Sequence, residues 1–183
     1  MEHMFVSGTP EPTVVLGVDP GLTRCGFAVL RVDNPRSVRA LSLGVIRTPA
    51  DQELPVRLGT LQREISDLIS QFRPGSVAVE QVFFQSNVRT AMSVGQASGV
   101  ILAVASNAGC RVAQYTPSQV KDAVAGWGGA DKTQVQKMVQ QRLGLSAPPK
   151  PADAADAAAI ALCHVSVAPF VERREAAVAR THR

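Results

Sequence analysis

Apolar and polar residues along the chain follow two rhythms, and the switches between them mark the elements. Thr13–Asp19 (TVVLGVD) is a short β-branched run closed by Asp-Pro-Gly, which predicts a strand entering a turn. Gly26–Val32 and Ala40–Thr48 predict two further strands, and the short links among the three predict antiparallel hairpins. Leu54, Leu58, Leu61, Ile65, Leu68 and Phe72 then recur at alternating steps of four and three, one apolar stripe of a helix that Pro74-Gly75 ends. Ser76–Val82 (SVAVEQV) is apolar except at Glu80 and Gln81, the pattern of a central, buried strand. Asn87–Ala108 predicts a helix carrying the small residues Ala91, Gly95, Ser98, Gly99 and Ala103, which permit close helix approach within the monomer or across a dimer. Arg111–Thr116 predicts a fifth strand. Pro117 opens a short helix over Ser118–Ala125, Lys132–Leu143 forms another, and Asp153–Val167 is a final Ala-rich helix. Residues 1–12 read as a loose arm, 13–168 as one domain, and 169–183 as a charged tail that frays. The element order predicts an α/β fold, a mixed sheet covered by helices.

Composition narrows the classes. The 183 residues suit a single domain, and 45% apolar with 19% charged residues excludes a disordered chain. Cys25, Cys110 and Cys163 are few, odd in number and far apart. They support neither a thiolate zinc site nor a disulfide framework, and they fit a reducing, cytoplasmic setting. Residues 1–12 lack the basic start and long apolar run of a signal peptide. The uncharged stretch Thr90–Cys110 holds Thr90, Ser93, Gln96, Ser98, Ser106 and Asn107, too polar for a membrane span. The net charge of +4 is unevenly spread. Residues 17–47 and 121–150 each hold five basic and two acidic residues, whereas 48–80 are net negative. Two basic segments that folding can join fit an anionic partner such as nucleic acid, as well as many ordinary enzymes.

Against this background four carboxylates stand in odd settings. Asp19 ends an apolar strand, Glu80 interrupts another, and Asp153 and Asp156 are three apart on one helix face. An ionised carboxylate in an apolar strand is costly unless paired or bound to a cation. If the strands of Asp19 and Glu80 are neighbours, all four can share a cleft near the start of the last helix. Oxygen-only ligands select hard ions, Mg²⁺ or Mn²⁺, and two such ions about 4 Å apart can drive phosphodiester hydrolysis. Duller readings exist for each. Asp19 suits a turn, Asp153 suits a helix cap, and Asp156 suits the positive end of a helix dipole. Glu80 has the weakest such alternative, because its strand reads as buried. His164 lies eight residues past Asp156, about 12 Å along a helix, too far to share a metal. Gly126–Thr133 (GWGGADKT) approaches a phosphate-binding loop, but Asp131 stands where its second glycine belongs, so a nucleotide triphosphatase is disfavoured. Phe83 and Phe84 follow the acidic strand and suit either core packing or stacking on bases. Arg89, Lys121 and Lys132 are candidate phosphate contacts, each also plausible as a plain surface charge.

The ordered set GVDPGLTRCG (17–26), VEQVFFQSN (79–87), GGADKTQVQKMV (128–139) and PADAADAAAIA (151–161) strongly resembles the RuvC family of bacterial Holliday junction resolvases, from about Val14 to Val167. The resemblance implies a ribonuclease-H-like fold, a five-stranded mixed sheet with helices on both faces. It implies a metal-dependent endonuclease that makes paired nicks in four-way DNA junctions and leaves 5′-phosphate and 3′-hydroxyl ends. The family's acidic tetrad falls on Asp19, Glu80, Asp153 and Asp156, its base-probing aromatic on Phe83, and its two junction-facing basic residues on Lys121 and Lys132. Two Mg²⁺ per site, with Mn²⁺ as a substitute, a homodimer built on helix 87–108, and the branch-migration partners RuvA and RuvB are implied as well. A related nuclease acting on RNA and a junction-binding module without catalysis are the competing readings. The aromatic loop argues against the first and the intact acidic set against the second.

Overall fold

Three strands come first in the chain and build the antiparallel half of one sheet. The computed structural model describes residues 12–81 and 88–181, with the side chains of 88–90 and 170–181 left aside. The elements are β1 (Thr13–Asp19), β2 (Arg24–Asn34), β3 (Ser37–Arg47), α1 (Leu54–Phe72), β4 (Ser76–Glu80), α2 (Val88–Asn107), β5 (Arg111–Tyr115), α3 (Pro117–Ala125), α4 (Lys132–Arg142) and α5 (Ala152–Thr181). The sheet order is β3-β2-β1-β4-β5. β1–β2 and β2–β3 are antiparallel hairpins, whereas β1–β4 and β4–β5 are parallel and joined through helices. This is the five-stranded mixed sheet expected from the sequence.

The pleat sorts side chains into two cores. Leu16 and Val18 of β1 and Val77 and Val79 of β4 pack against Leu61 and Ile65 of α1 and Ala97 and Ile101 of α2. Val15 and Ala78 face the other way, onto α3, α4 and α5. A sheet buried on both faces explains why β4 lacks simple alternation.

α5 lies against β1 and β2 with little between them. Ala154, Ala155, Ala157, Ala158 and Ala161 make its inner surface narrow, and all are buried. Gly17 completes the fit: a Cβ there would stand 2.3 Å from the Ala157 carbonyl oxygen and 2.7 Å from the Ala161 Cβ. Glycine inside a strand here marks close helix approach. Further along α5, buried His164 meets the Tyr115 hydroxyl at Nδ1, 2.9 Å away, so this histidine is a packed group remote from the acidic residues. α5 also continues past Val167, where the sequence pattern places its end, and runs through Pro169 to Thr181. One proline removes a single backbone hydrogen bond, and the run Glu172–Ala177 that follows consists of strong helix formers.

Candidate active site

The parallel register of β1 and β4 pairs Val18 with Val79, so the next residues, Asp19 and Glu80, end adjacent central strands side by side. Asp19 also pairs with Gly26 of β2. A Cβ on Gly26 would stand 2.1 Å from the Asp153 carbonyl oxygen, so this glycine is where α5's first turn settles on the sheet. Asp153 thereby comes over Asp19, and Asp156, one turn on, faces the same side. Asp153 is a first-turn residue of α5 and not its cap.

The four carboxylates lie close enough to perturb one another. Burial, reinforced by the Glu80, Asp156 and Asp153 carboxylates, pushes the Asp19 carboxyl up to about 7, with Lys132 opposing. Glu80 is raised for the same reasons, burial first and then Asp156, against the pull of Lys132 and Lys121. The remaining two acids have cationic partners. Arg24 places Nη2 at 2.5 Å and Nε at 3.1 Å from Asp153 Oδ2, and this hydrogen-bonded guanidinium holds Asp153 below the usual carboxylate range. Lys132, in the first turn of α4, donates to Asp156 Oδ2 at 2.7 Å and is itself held above the usual lysine range by that bond. Among the described residues no three His, Cys, Asp or Glu side chains are already gathered as a metal cage. The acids converge on one cleft, but two of them are turned to Arg24 and Lys132.

Beside these acids a cavity of about 280 Å³ is lined by Glu80, Lys121, Lys132 and Asp156, with Pro117 and Val120 of α3 on its wall. Both candidate lysines thus meet the carboxylates, one from α3 and one from α4. Phe83 and Phe84 lie outside the described residues. Arg89 sits in the first turn of α2, and its side chain is outside the description. The loop-like stretch 126–133 is a helix junction: Gly126, at φ +87°, caps α3, and Asp131 caps α4 by accepting from the Gln134 backbone N–H at 2.8 Å. That places Asp131 in a structural role, as its mismatch with a phosphate loop implied.

Arg24 is the site residue that sequence reasoning missed. Nothing in its local pattern marks it, because its meaning comes from a partner 129 residues away. Gly17 and Gly26 were legible in principle, since glycine within a strand signals a close approach. Of the small residues on α2, Ala91 and Ser98 are buried in the monomer. Gly95 and Gly99 open outward, with nothing within 4 Å of a Cβ built on either.

Residues 15–164 match the family described as "Crossover junction endodeoxyribonuclease RuvC". The chain is 53% identical over 165 residues to a protein of that name from Streptomyces avermitilis, covering 90% of this chain and 94% of the relative. It is 52% identical over 172 residues to the one from Rhodococcus opacus, covering 92% and 91%. Among solved structures it is similar to "T. thermophilus RuvC in complex with Holliday junction substrate", with a TM-score of 0.82 at 40% identity over 86% of this chain and 96% of that one. The sheet order and helix placement are those of the ribonuclease-H-like fold of that structure.

Proposed function

This chain belongs to the RuvC family of crossover junction endodeoxyribonucleases, and from that premise we infer that it resolves Holliday junctions by hydrolysing phosphodiesters in two strands of a four-way DNA junction. The observation that carries the reading is the gathering of Asp19, Glu80, Asp153 and Asp156 around one another, with Glu80 and Asp156 lining a cavity shared with Lys121 and Lys132. Family membership implies divalent-metal dependence.

The residues fit such ions. The donor set is entirely carboxylate oxygen, which suits Mg²⁺ first and Mn²⁺ as a substitute. Burial and then repulsion by the neighbouring carboxylates push Asp19 up to about 7; positive charge relieves that repulsion, and Arg24 and Lys132 already supply it at two of the four acids. Two ions per site would be held by Asp19, Glu80, Asp153 and Asp156, and when bound would supply activation of the attacking water and stabilisation of the leaving oxygen. The chain's own residues do the rest. Lys121 and Lys132 hold the phosphates of the cut strand against the acidic cleft, and Lys132 turns from Asp156 toward the charge that builds on the phosphate. Phe83, Phe84 and Arg89 contact the junction from the segment that follows Glu80. The cut leaves 5′-phosphate and 3′-hydroxyl ends.

A four-way junction presents two equivalent strands, and a homodimer presents two equivalent sites. The outward-facing Gly95 and Gly99, with Met92 exposed beside them, support a dimer seated on α2. The branch-migration proteins RuvA and RuvB are its partners, and the cytoplasm is its place of work. No helix among the described residues is long and apolar enough to cross a membrane. The test is cleavage of an end-labelled synthetic junction, beside a structured RNA, with and without divalent metal. Paired symmetric nicks in the junction only with metal are expected. Cleavage of RNA in preference to the junction overturns the reading.

A further inference from the structure

The chain's single tryptophan is its most conspicuous misfit. Trp127 leaves 56% of its surface in solvent, whereas tryptophan in a monomer is ordinarily well covered. It is nonetheless held in place. Gly126 turns the chain at φ +87°, the Ala130 N–H donates to the Trp127 carbonyl at 3.2 Å, and Ala130 is fully buried. The benzo ring lies against Gly129, where a Cβ would stand 2.3 Å from its Cζ3 atom. Gly128 folds back on α3, where a Cβ would stand 2.6 Å from the Ser118 Oγ. Ser118 follows Pro117, a residue of the cavity wall, and the same loop delivers Lys132 into that cavity five residues on. An exposed aromatic plate therefore stands on the link between α3 and α4, the two helices that bring Lys121 and Lys132 to the acidic cavity.

We propose that Trp127 is a stacking platform for a nucleobase of the DNA strand that passes over Lys121 and Lys132, a contact separate from the aromatic pair after Glu80. The inference rests on the junction-binding reading above. A flat, partly pre-ordered indole loses little entropy on binding and accepts any base face. The lysines of the two flanking helices hold the backbone to which that base belongs.

Because Trp127 is the only tryptophan, tryptophan emission comes from this residue alone. The full-length protein is titrated in EDTA with a synthetic four-way junction, and Trp127→Ala and Trp127→Phe are compared by gel shift. Saturable quenching by the junction is expected, with binding weakened about 5- to 150-fold in Trp127→Ala and largely restored in Trp127→Phe. Unchanged emission at saturating junction overturns the proposal, as does Trp127→Ala binding at wild-type affinity or a phenylalanine that restores nothing. An emission change that tracks protein concentration without DNA also overturns it, in favour of a second copy of the chain on this face. If the wild-type protein binds no junction at all, it is the underlying reading that fails. If it binds the junction in EDTA and cuts it once Mg²⁺ is added, while Trp127 stays silent, only this inference fails.

Discussion

Gly26→Ala puts a single methyl group where the sheet meets the helix that carries half the acidic residues. The new Cβ would lie 2.1 Å from the Asp153 carbonyl oxygen and 2.6 Å from its carbonyl carbon. An ordinary carbon–oxygen contact is about 3.3 Å, so the first turn of α5 must retreat by about 1 Å. The backbone it meets cannot swing aside as a flexible side chain would. Overpacking of this kind costs about 1–3 kcal/mol, and about 2 kcal/mol lowers Tm by roughly 4–8 °C in a domain of this size. The catalytic cost is larger, because a displacement of about 1 Å in a reacting constellation costs about 100-fold in rate. Gly59→Ala is the matched control, since Gly59 lies inside α1 with nothing within 4 Å of its Cβ position. That change should stabilise the protein by about 0.5–1 kcal/mol and leave cleavage unaltered. Thermal unfolding and single-turnover junction cleavage of both variants decide the matter. A folded Gly26→Ala protein that cuts within threefold of wild type, or that gains Tm as Gly59→Ala does, refutes the claim that Gly26 sets the position of Asp153.

Asp19→Asn removes the carboxylate most burdened by burial and repulsion, so in EDTA it should raise stability above pH 7, by at most about 4 kcal/mol. The advantage should vanish as pH falls toward 4, because the folded wild-type carboxyl takes up its proton near 7, before the unfolded chain does; unfolding curves across pH check the sign. Adding Mg²⁺ should raise the Tm of wild type and do so less for Asp19→Asn, measured by scanning calorimetry. Lys121→Ala should weaken junction binding and reduce the slope of log affinity against log salt by about 1, read from titrations at several salt concentrations. Tyr115→Phe removes the hydroxyl that meets His164 and should cost about 1–2 kcal/mol in denaturant unfolding while cleavage persists.

The sequence was most legible where a pattern is local. The stripe from Leu54 to Phe72 became α1 with those boundaries because α1 buries one face, and Thr13–Asp19 became β1 because a short β-branched run suits a strand buried on both faces. The two hairpins followed from their short links. Asp19 and Glu80 were marked by their incongruity, as charges within apolar strands. Pairings across long separations left no local trace. Arg24 on Asp153 and Lys132 on Asp156 arise only when α5 returns over the sheet, and a lysine or arginine looks the same in sequence whether solvated or paired. The end of α5 was misplaced because a proline reads as a stop, whereas the backbone continues through Pro169 to Thr181.

The central claim is that the carboxylate at the end of β1 serves the chemistry and not the grip on DNA. Its most direct measurement pairs a gel shift with a cleavage assay on one labelled four-way junction, using wild type and Asp19→Asn in Mg²⁺. The account predicts that the variant binds the junction as wild type does and cuts neither strand. Mg²⁺-dependent paired nicks made by Asp19→Asn at the wild-type rate would contradict it.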